Sequence, residues 1–432
     1  MTTTSEFWTN VSIVFKGNRH ATKRSVPTRN PDQVLERLDL QLQRAGSQLI
    51  DVNISIDVDA DRGRPLFGLI LRRAPFRRWR RLEIFDLNWD NYASSIPLKS
   101  AKFVNLEYIE LHGYCKPQFL DLIDRTVTSK LTVFRGNLSF RAMEGYFPNI
   151  LPKITELCLG RSDARFFSPP PNIVDLTLPY LQLNDLSHIA HLRLTKQQHI
   201  GRKFSDYDWA NLVSLDFYVT ITDLATSPAP QIIFFPRLET IITRGAYHMA
   251  LAHFSAPRIT DLQFDKMHYS TQRAVEGLEQ LLSCPFFTLS PSETIDVLFP
   301  LNKRTLGNLV RAFSQTKRIK LRFEDEYDRW ETTSGTLSDW KNEGGLVVEG
   351  ETDAATSRSA VFMGKFTSLD IQFSGKYREA VREFWRARMV EVLVDTQDTQ
   401  LKDIRCTWKG ELPLELNRSE LKAGDGVSEK VL

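Results

Sequence analysis

The sequence has few cysteines and no long apolar run. Its four cysteines, in 432 residues, include no pair at C-x-x-C spacing. This spacing predicts neither a zinc site nor a disulfide framework, and it favours reduced thiols inside a cell. No stretch has the roughly 20 apolar residues needed to cross a bilayer. The first fifteen residues lack the basic and then apolar regions of a secretory signal. We therefore expect a cytoplasmic or nuclear protein with no membrane partner.

The sequence also lacks an excess of charge of one sign. Its 56 basic and 53 acidic residues give a net charge of +3. This balance speaks against a nucleic acid as the partner, because a dedicated nucleic-acid binder carries a basic excess.

One arginine-rich stretch departs locally from this balance, and it contains Trp79 and the arginines Arg72, Arg73, Arg77, Arg78, Arg80 and Arg81. It has two interpretations. In the first it binds an anion or an acidic partner, with Trp79 as a stacking platform. In the second it is a connector in which Phe76 and Trp79 pack inward while the arginines stay in water. We favour the second, because the acidic residues Glu83 and Asp86 follow closely.

Motifs of enzyme chemistry are not found. No G-x-S-x-G, no G-x-x-x-x-G-K-[ST] and no G-x-G-x-x-G after a strand occurs. The alternation of Asp57, Asp59 and Asp61 is similar to a calcium loop, but the sixth place holds Arg62 where such a loop needs glycine.

The histidines show no metal-ligand spacing either. No cysteine or paired carboxylate joins them at the spacing of a metal site; they include His188, His191, His248, His253 and His268. We therefore predict no enzyme, no metal and no cofactor. The alternative left open is an enzyme that uses Asp216, Asp261 or the histidines.

The abundant feature is the phrase L-x-x-L-x-L, which returns about every 20 to 25 residues, a period typical of repeat proteins. Clear copies start at Leu82, Leu106, Ile154, Ile173, Ile189, Leu212 and Ile259, and weaker copies at Leu49, Leu131, Leu238, Phe366 and Leu401. Strands that alternate with helices or turns at this distance pair in parallel. The pattern predicts an α/β solenoid, a horseshoe with a parallel sheet on its concave face and helices or turns on its convex face.

The flanking segments give the predicted organisation. Residues 1–48 form an N-terminal capping region, in which a strand at 11–15 precedes a helix that starts at Asn30-Pro31 and ends near Gly46. Residues 49–410 form the solenoid, with a mobile insertion at 326–360, and residues 411–432 form a disordered tail. Further helices are predicted near residues 119–123, 275–282, 306–313 and 376–394.

The phrase also predicts which side chains face a partner. Its second and third apolar residues are two apart, so on a strand both point inward, while the residues between them point outward. The predicted inward set is Ile109, Leu111, Leu157, Leu159, Leu192, Leu194, Leu215 and Phe217. The predicted partner-binding set on the concave face is Tyr108, Glu110, His112, Glu156, His191, Arg193, Asp216, Tyr218, Arg244, Asp261, Gln263 and Asp265. Its mixed charge suits a protein substrate or peptide better than a phosphate backbone. For any single residue, simple solvation is the alternative.

Four segments resemble one known family. Residues 6–13 (EFWTNVSI) resemble the segment after the F-box in basidiomycete (agaricomycete) F-box-like leucine-rich-repeat proteins. Residues 31–48 and 49–56 resemble the helix and strand that follow, and residues 76–87 (FRRWRRLEIFDL) resemble the entry to the first repeats. The resemblance covers most of residues 6–270. It implies a protein-interaction solenoid like the substrate-recognition region of F-box proteins, and a substrate receptor of a cullin-type ubiquitin ligase.

The sequence departs from this family in two ways. The F-box would lie before residue 6, so it is missing or truncated, and a Skp-type adaptor is expected as a partner only if an F-box is encoded upstream. The alternative is a ligase-independent binding or scaffold protein. In addition, regular leucine-rich repeats place an asparagine eight residues after the first leucine, where this chain has Asp90, Tyr114, Ser162, Leu181, Gln197, Thr220 and Met267. We therefore expect an irregular solenoid.

Overall fold

The computed structural model describes residues 9–15, 31–56, 60–85, 102–112, 123–125, 130–161, 167–181, 183–199, 207–220, 232–245, 248–267, 269–299, 301, 303–313, 315–323, 367–373, 402–408 and 414–417. The predictions of an insertion at 326–360 and a helix at 376–394 lie outside these residues, as does most of the helix predicted at 119–123. The chain divides into two compact units, Met1–Leu192 and Arg193–Leu432.

The first unit contains seven parallel strands that pair in chain order. Its elements are β1 (Asn10–Phe15), α1 (Pro31–Arg44), β2 (Ile50–Ile56), α2 (Ala60–Arg73), β3 (Trp79–Phe85), β4 (Tyr108–His112), β5 (Val133–Gly136), α3 (Phe140–Tyr146), β6 (Glu156–Leu159) and β7 (Asp175–Leu178). Short 3₁₀ helices lie at Phe76–Arg78 and Leu151–Lys153.

The boundary between the units falls within β8 (His191–His199). The second unit continues with β9 (Ser214–Thr220), β10 (Ile233–Phe234), β11 (Thr240–Arg244), a 3₁₀ helix at His248–His253, β12 (Phe254–Ser255), β13 (Asp261–Asp265), α4 (Thr271–Leu282), β14 (Thr294–Val297), α5 (Lys303–Ala312), β15 (Arg318–Phe323), β16 (Ser368–Phe373), β17 (Asp403–Trp408) and β18 (Leu414–Asn417). Its main sheet runs β9-β11-β13-β14-β15-β16-β17-β18, and only the last pair is antiparallel. β10 and β12 pair separately. The prediction of an α/β fold with mostly parallel strands is confirmed.

The apolar side of each strand forms the core. All eight predicted inward residues are buried, each at most 2% exposed. Strand side chains alternate between faces, so short strands such as β4 and β6 each bury two of them. The prediction for α1 is confirmed as well: Leu38 and Leu42 are buried, and Gly46 has a φ of +55°, which glycine adopts at little cost.

Adjacent strands are aligned by carbonyl groups that each accept two hydrogen bonds. The Thr132 carbonyl accepts the N–H groups of Thr155 at 2.9 Å and Glu156 at 3.1 Å. The same arrangement recurs at the carbonyls of Glu107, Thr155, Val174, Val213, Glu239, Thr260, Lys317 and Thr367. The strands joined in this way start level with each other, so their register does not require asparagine at the position where regular leucine-rich repeats have it.

The predicted position of one copy of the phrase is wrong. A copy starting at Leu82 would point Phe85 inward, yet Phe85 is 41% exposed. In the observed register Leu82 pairs with Ile109 and Ile84 with Leu111, so the copy reads Trp79-x-x-Leu82-x-Ile84. Because this stretch has several apolar residues, the phrase fits it at two positions. Burial of the Trp79 indole, which donates to the Ala74 carbonyl at 2.8 Å, decides between them.

Other elements were missed because their local signals are weak. The α2 sequence holds Gly63, Pro65 and Gly68, which are residues of low helix propensity. Strands β14 and β15 have Ser292 and Thr316 where the phrase has its first leucine. Thr316 is nonetheless buried, and its hydroxyl donates to the Pro291 carbonyl at 2.7 Å.

The predicted disordered tail, residues 411–432, is wrong for four residues. Leu414–Asn417 is β18, paired antiparallel to β17. The strand is supported by an ion pair between Arg405 and Glu415, with 3.0 Å between Nε and Oε1. The remaining tail residues lie outside the description. No helix in the described parts of the chain is long and apolar enough to span a membrane.

A histidine lies in the core of the second unit. His248 is fully buried between Phe264 and Phe299, and its Nδ1 lies 3.4 Å from the Thr243 hydroxyl. Burial lowers the pKa of His248 to about 3, because a charged imidazolium loses its hydration there.

We predict that replacing Leu157 with Asp unfolds the first unit. Leu157 is fully buried between Phe134 and Leu176 on the neighbouring strands, and an unpaired buried carboxylate costs several kcal/mol, a large part of the stability of a domain. Circular dichroism during thermal melting measures this. Cys158→Asp, on the opposite face of the same strand, is the control and should melt close to the parent. A Leu157→Asp protein that melts like the parent would contradict the strand assignment.

We also predict that His248 makes the second unit less stable as the pH falls below 6.5. The unfolded imidazole titrates near 6.5 and the folded one near 3. Between these values the unfolded state binds more protons, so acid favours unfolding. From pH 7 to pH 5 the loss is about 2 kcal/mol. Urea titrations should show that His248→Phe lacks this part of the pH dependence. An equal pH dependence in both proteins would argue against a neutral buried histidine.

Candidate functional site

The outward side chains of the strands form one polar face in each unit. The first polar face consists of Asp51, Asn53, Arg81, Glu83, Phe85, Tyr108, Glu110, His112, Val133, Arg135, Glu156, Cys158, Asp175, Thr177 and His191. The second polar face consists of Arg193, Thr195, Ser214, Asp216, Tyr218, Thr240, Ile242, Arg244, Asp261, Gln263, Asp265, Thr294, Asp296, Arg318, Lys320, Ser368, Asp370, Gln372, Asp403, Arg405 and Thr407. All twelve predicted partner-binding residues belong to these faces.

Tyr108 lies at the centre of the first polar face. The Arg81 guanidinium lies 3.8 Å from its ring centroid and the Arg135 guanidinium 5.6 Å from it. Its hydroxyl donates a hydrogen bond to Glu110. Burial, followed by the hydrogen bond to Glu110, raises the pKa of Tyr108 well above its usual value. The phenol therefore stays protonated, and the ring is held by its neighbours.

Ion pairs between and along strands hold the two arginines. Arg81 Nε donates to Glu83 at 2.5 Å, and Asn53 donates to the same carboxylate at 2.8 Å. Arg135 donates to Glu156 on the next strand through Nε at 2.9 Å and Nη2 at 2.6 Å. Both guanidinium groups thus already have a carboxylate partner.

Two histidines lie beside carboxylates on the same face. His112 Nε2 is 2.7 Å from Glu110 Oε1, and its ring stacks on Phe85 with centroids 4.0 Å apart. His191 Nε2 is 3.7 Å from Asp175 Oδ1. Burial raises the pKa of Asp175; the neighbouring Glu156 adds to this and His191 opposes it.

The second polar face is organised around Asp216. This carboxylate is only 7% exposed, although the sequence places it outward. Arg244 on β11 binds both of its oxygens, at 2.5 and 2.8 Å, and Arg193 Nε lies 3.1 Å from Oδ2. Arg244 also donates to Asp265 on β13 at 3.3 Å. The hydrogen bond to Asp216 raises the pKa of Arg244. The four charged side chains join four strands.

A glycine next to this cluster makes room for Tyr218. Gly245 has a φ of +103°, and a Cβ atom there would lie 2.6 Å from Tyr218 Cε2. The Tyr218 and Tyr269 ring centroids are 6.0 Å apart.

The last two predicted residues of this face lie on β13. Asp261 accepts a hydrogen bond from the Thr260 hydroxyl at 2.8 Å, and Gln263 lies between Ile242 and Asp296 in the register.

Four residues that form these ion pairs were not among the predicted partner-binding residues. Arg135 and Asp175 are outward residues of the copies starting at Leu131 and Ile173, so counting through those copies would have found them. Arg81 and Glu83 were hidden because the copy at Leu82 was placed wrongly.

The arginine-rich stretch is not a stacking site. Trp79 is 1% exposed, packed against Phe76 and Phe103 with centroids 4.8 and 6.0 Å apart, as the favoured interpretation predicted. The neighbouring arginines also have partners: Arg73 pairs with Asp39 and Arg80 with Asp51.

Where the structure describes them, the residues considered for metal binding or catalysis do not come together in one site. In the described residues, no three or more His, Cys, Asp and Glu side chains are grouped so that they could hold a metal ion. His248 is in the core, His191 pairs with Asp175, and both oxygens of Asp216 accept from Arg244. His268 lies outside the described residues.

No protein-family model matches the chain, and no curated protein is similar enough in sequence to match it.

We predict that the stability of the second unit depends more on Asp216 than on the exposed Arg193. Asp216→Asn removes the carboxylate that binds Arg244 through two hydrogen bonds and leaves this side chain, only 20% exposed, with the longer contact to Asp265 as its remaining ion pair. The unit should lose about 2 to 3 kcal/mol of stability. Arg193 is 53% exposed, so Arg193→Gln should cost less than about 1 kcal/mol. Urea denaturation of the three proteins measures this order, and equal losses would contradict it.

Proposed function

We propose that the chain is a protein-interaction solenoid, an irregular leucine-rich-repeat-like horseshoe whose concave side carries the two polar faces. The observation that carries this proposal is the set of ion-paired, in-register outward side chains around Tyr108 and Asp216. A surface of fixed side chains loses little conformational entropy when a partner binds.

The composition of the faces favours a protein or peptide as the partner. Tyrosine and arginine are typical of the residues that contribute most to protein interfaces, and Tyr108 and Tyr218 each lie among arginines or aromatic rings. A phosphate backbone would require cations free to pair with it, whereas Arg81, Arg135 and Arg244 already bind carboxylates.

The F-box resemblance leads to two forms of this proposal. In the first, the chain is the substrate-recognition region of a cullin-type ubiquitin-ligase receptor, whose Skp-type adaptor would bind an F-box encoded upstream of residue 6. In the second, it is a ligase-independent binding or scaffold protein. The order of α1, β2 and the Trp79 strand, which follows the resembling segments, supports the kinship in either form.

The binding role is tested by affinity purification of the full chain from cells that express it naturally. Tyr108→Ala should lower recovery of specific partners about tenfold, the effect of one strong interface residue. Tyr146→Ala, on α3 in the same unit, is the matched control and should retain them. Equal recovery with all three proteins would reject the first polar face as the binding surface.

The ligase form has its own test. Genomic sequence upstream of Met1 should contain an in-frame F-box-type helical segment, and the longer product should recover a Skp-type adaptor and a cullin. A stop codon without such a segment, or purification without these proteins, would leave the ligase-independent form.

A further inference from the structure

The first polar face has more carboxylates than strong cations, and we infer that it binds a basic, extended segment of its protein partner. This inference rests on the proposed binding function and specifies the chemistry of the partner. Besides Arg80, which pairs with Asp51 of β2, strands β3 to β7 present four outward carboxylates and two guanidinium groups. The carboxylates are Glu83, Glu110, Glu156 and Asp175, and the guanidinium groups are Arg81 and Arg135.

The two arginines neutralise only two of these carboxylates. Arg81 donates to Glu83, and Arg135 directs both of its hydrogen bonds to Glu156. An acidic partner would have to displace these bonds. A basic partner would not, because it would meet the two carboxylates that have no guanidinium bonded to them.

Glu110 is the first of the two. It accepts one hydrogen bond from the Tyr108 hydroxyl, and its Oε1 lies 2.7 Å from His112 Nε2. Its side chain is 18% exposed, so a cation can reach it from the open side of the face. A charge-assisted hydrogen bond is about twice as strong as a neutral one, so a lysine or arginine would add to the bonds Glu110 already makes.

Asp175 is the second. Its described partner is the His191 ring at 3.7 Å, and it lies beside the like-charged Glu156 on the neighbouring strand. The side chain is 45% exposed although its Oδ1 atom is buried. Burial raises the pKa of this carboxyl; His191 lowers it, and Glu156 raises it further.

The register sets the spacing that the partner must match. Glu110 and Asp175 lie three strands and one outward position apart, which corresponds to about 16 Å. An extended chain rises about 3.3 Å per residue, so cationic side chains at positions i and i+4 point to the same side about 13 Å apart and reach both carboxylates.

An exposed apolar side chain, Phe85, lies beyond Glu110 on the same face. It is 41% exposed and stacks on His112. It lies one strand and one outward position from Glu110, on the side away from Asp175. An apolar residue at position i−2 of the bound segment would cover it. The surface therefore fits a segment of the form apolar-x-cation-x-x-x-cation.

Selection from a random twelve-residue peptide display library tests this inference. We expect the wild-type chain to enrich lysine and arginine, with an apolar residue two positions earlier. Glu110→Gln combined with Asp175→Asn should lose this enrichment. Glu36→Gln combined with Glu144→Gln removes the same two charges from exposed positions on α1 and α3 and should keep it.

A synthetic copy of the most enriched peptide then gives the affinity by fluorescence anisotropy. Binding should weaken about tenfold in the Glu110/Asp175 double variant and also on addition of salt, because the contacts are ionic and exposed. Selection of acidic or uncharged peptides, or of none, would overturn the inference. If such peptides still lose binding to Tyr108→Ala, the proposed binding function stands; if Tyr108→Ala binds equally well, the proposed function fails too.

Discussion

The burial of the inward, mostly apolar side chains of the short parallel strands is the constraint on which the rest of the structure depends. A strand of four to six residues makes few contacts, so it is stable only when its inward pair meets the pairs of its neighbours. In-register pairing puts Leu157 between Phe134 and Leu176. A shift of a strand by one residue would expose its apolar side chains and bury its charged ones. The carbonyls that each accept two N–H groups keep the strands in this register.

The polar faces are a consequence of that register. Residues at equal positions on adjacent strands lie about 4.8 Å apart, so outward side chains of neighbouring strands must accommodate each other's charge. Around Asp216 this produces a nearly buried ion cluster, where two arginines offset the cost of removing the carboxylate from water. In the first unit the guanidinium groups of Arg81 and Arg135 bind Glu83 and Glu156 and not Glu110 or Asp175, and for this reason we propose the latter two as contacts for a basic partner.

Much of the fold could be predicted from the sequence because the signal is local. The inward and outward sides of β4, β6 and β9 follow from the alternation of side chains, and the helices α4 and α5 follow from apolar residues three and four apart. Prediction failed where a local pattern was ambiguous or absent. The stretch from Trp79 to Phe85 fits the phrase in two registers. Strand β15 was missed because the buried Thr316 stands before it where the phrase has its first leucine.

The candidate site divides in the same way. The sequence by itself determined which residues point outward, because that depends only on a period of two along one strand. The tertiary structure alone decided that Arg244 neutralises Asp216, that Arg135 binds Glu156 and not Glu110, and that the His191 ring lies beside Asp175. These pairings join residues that are 16 to 28 positions apart or compete for one guanidinium. They depend on the register and burial of several strands at once, which no single stretch of sequence contains.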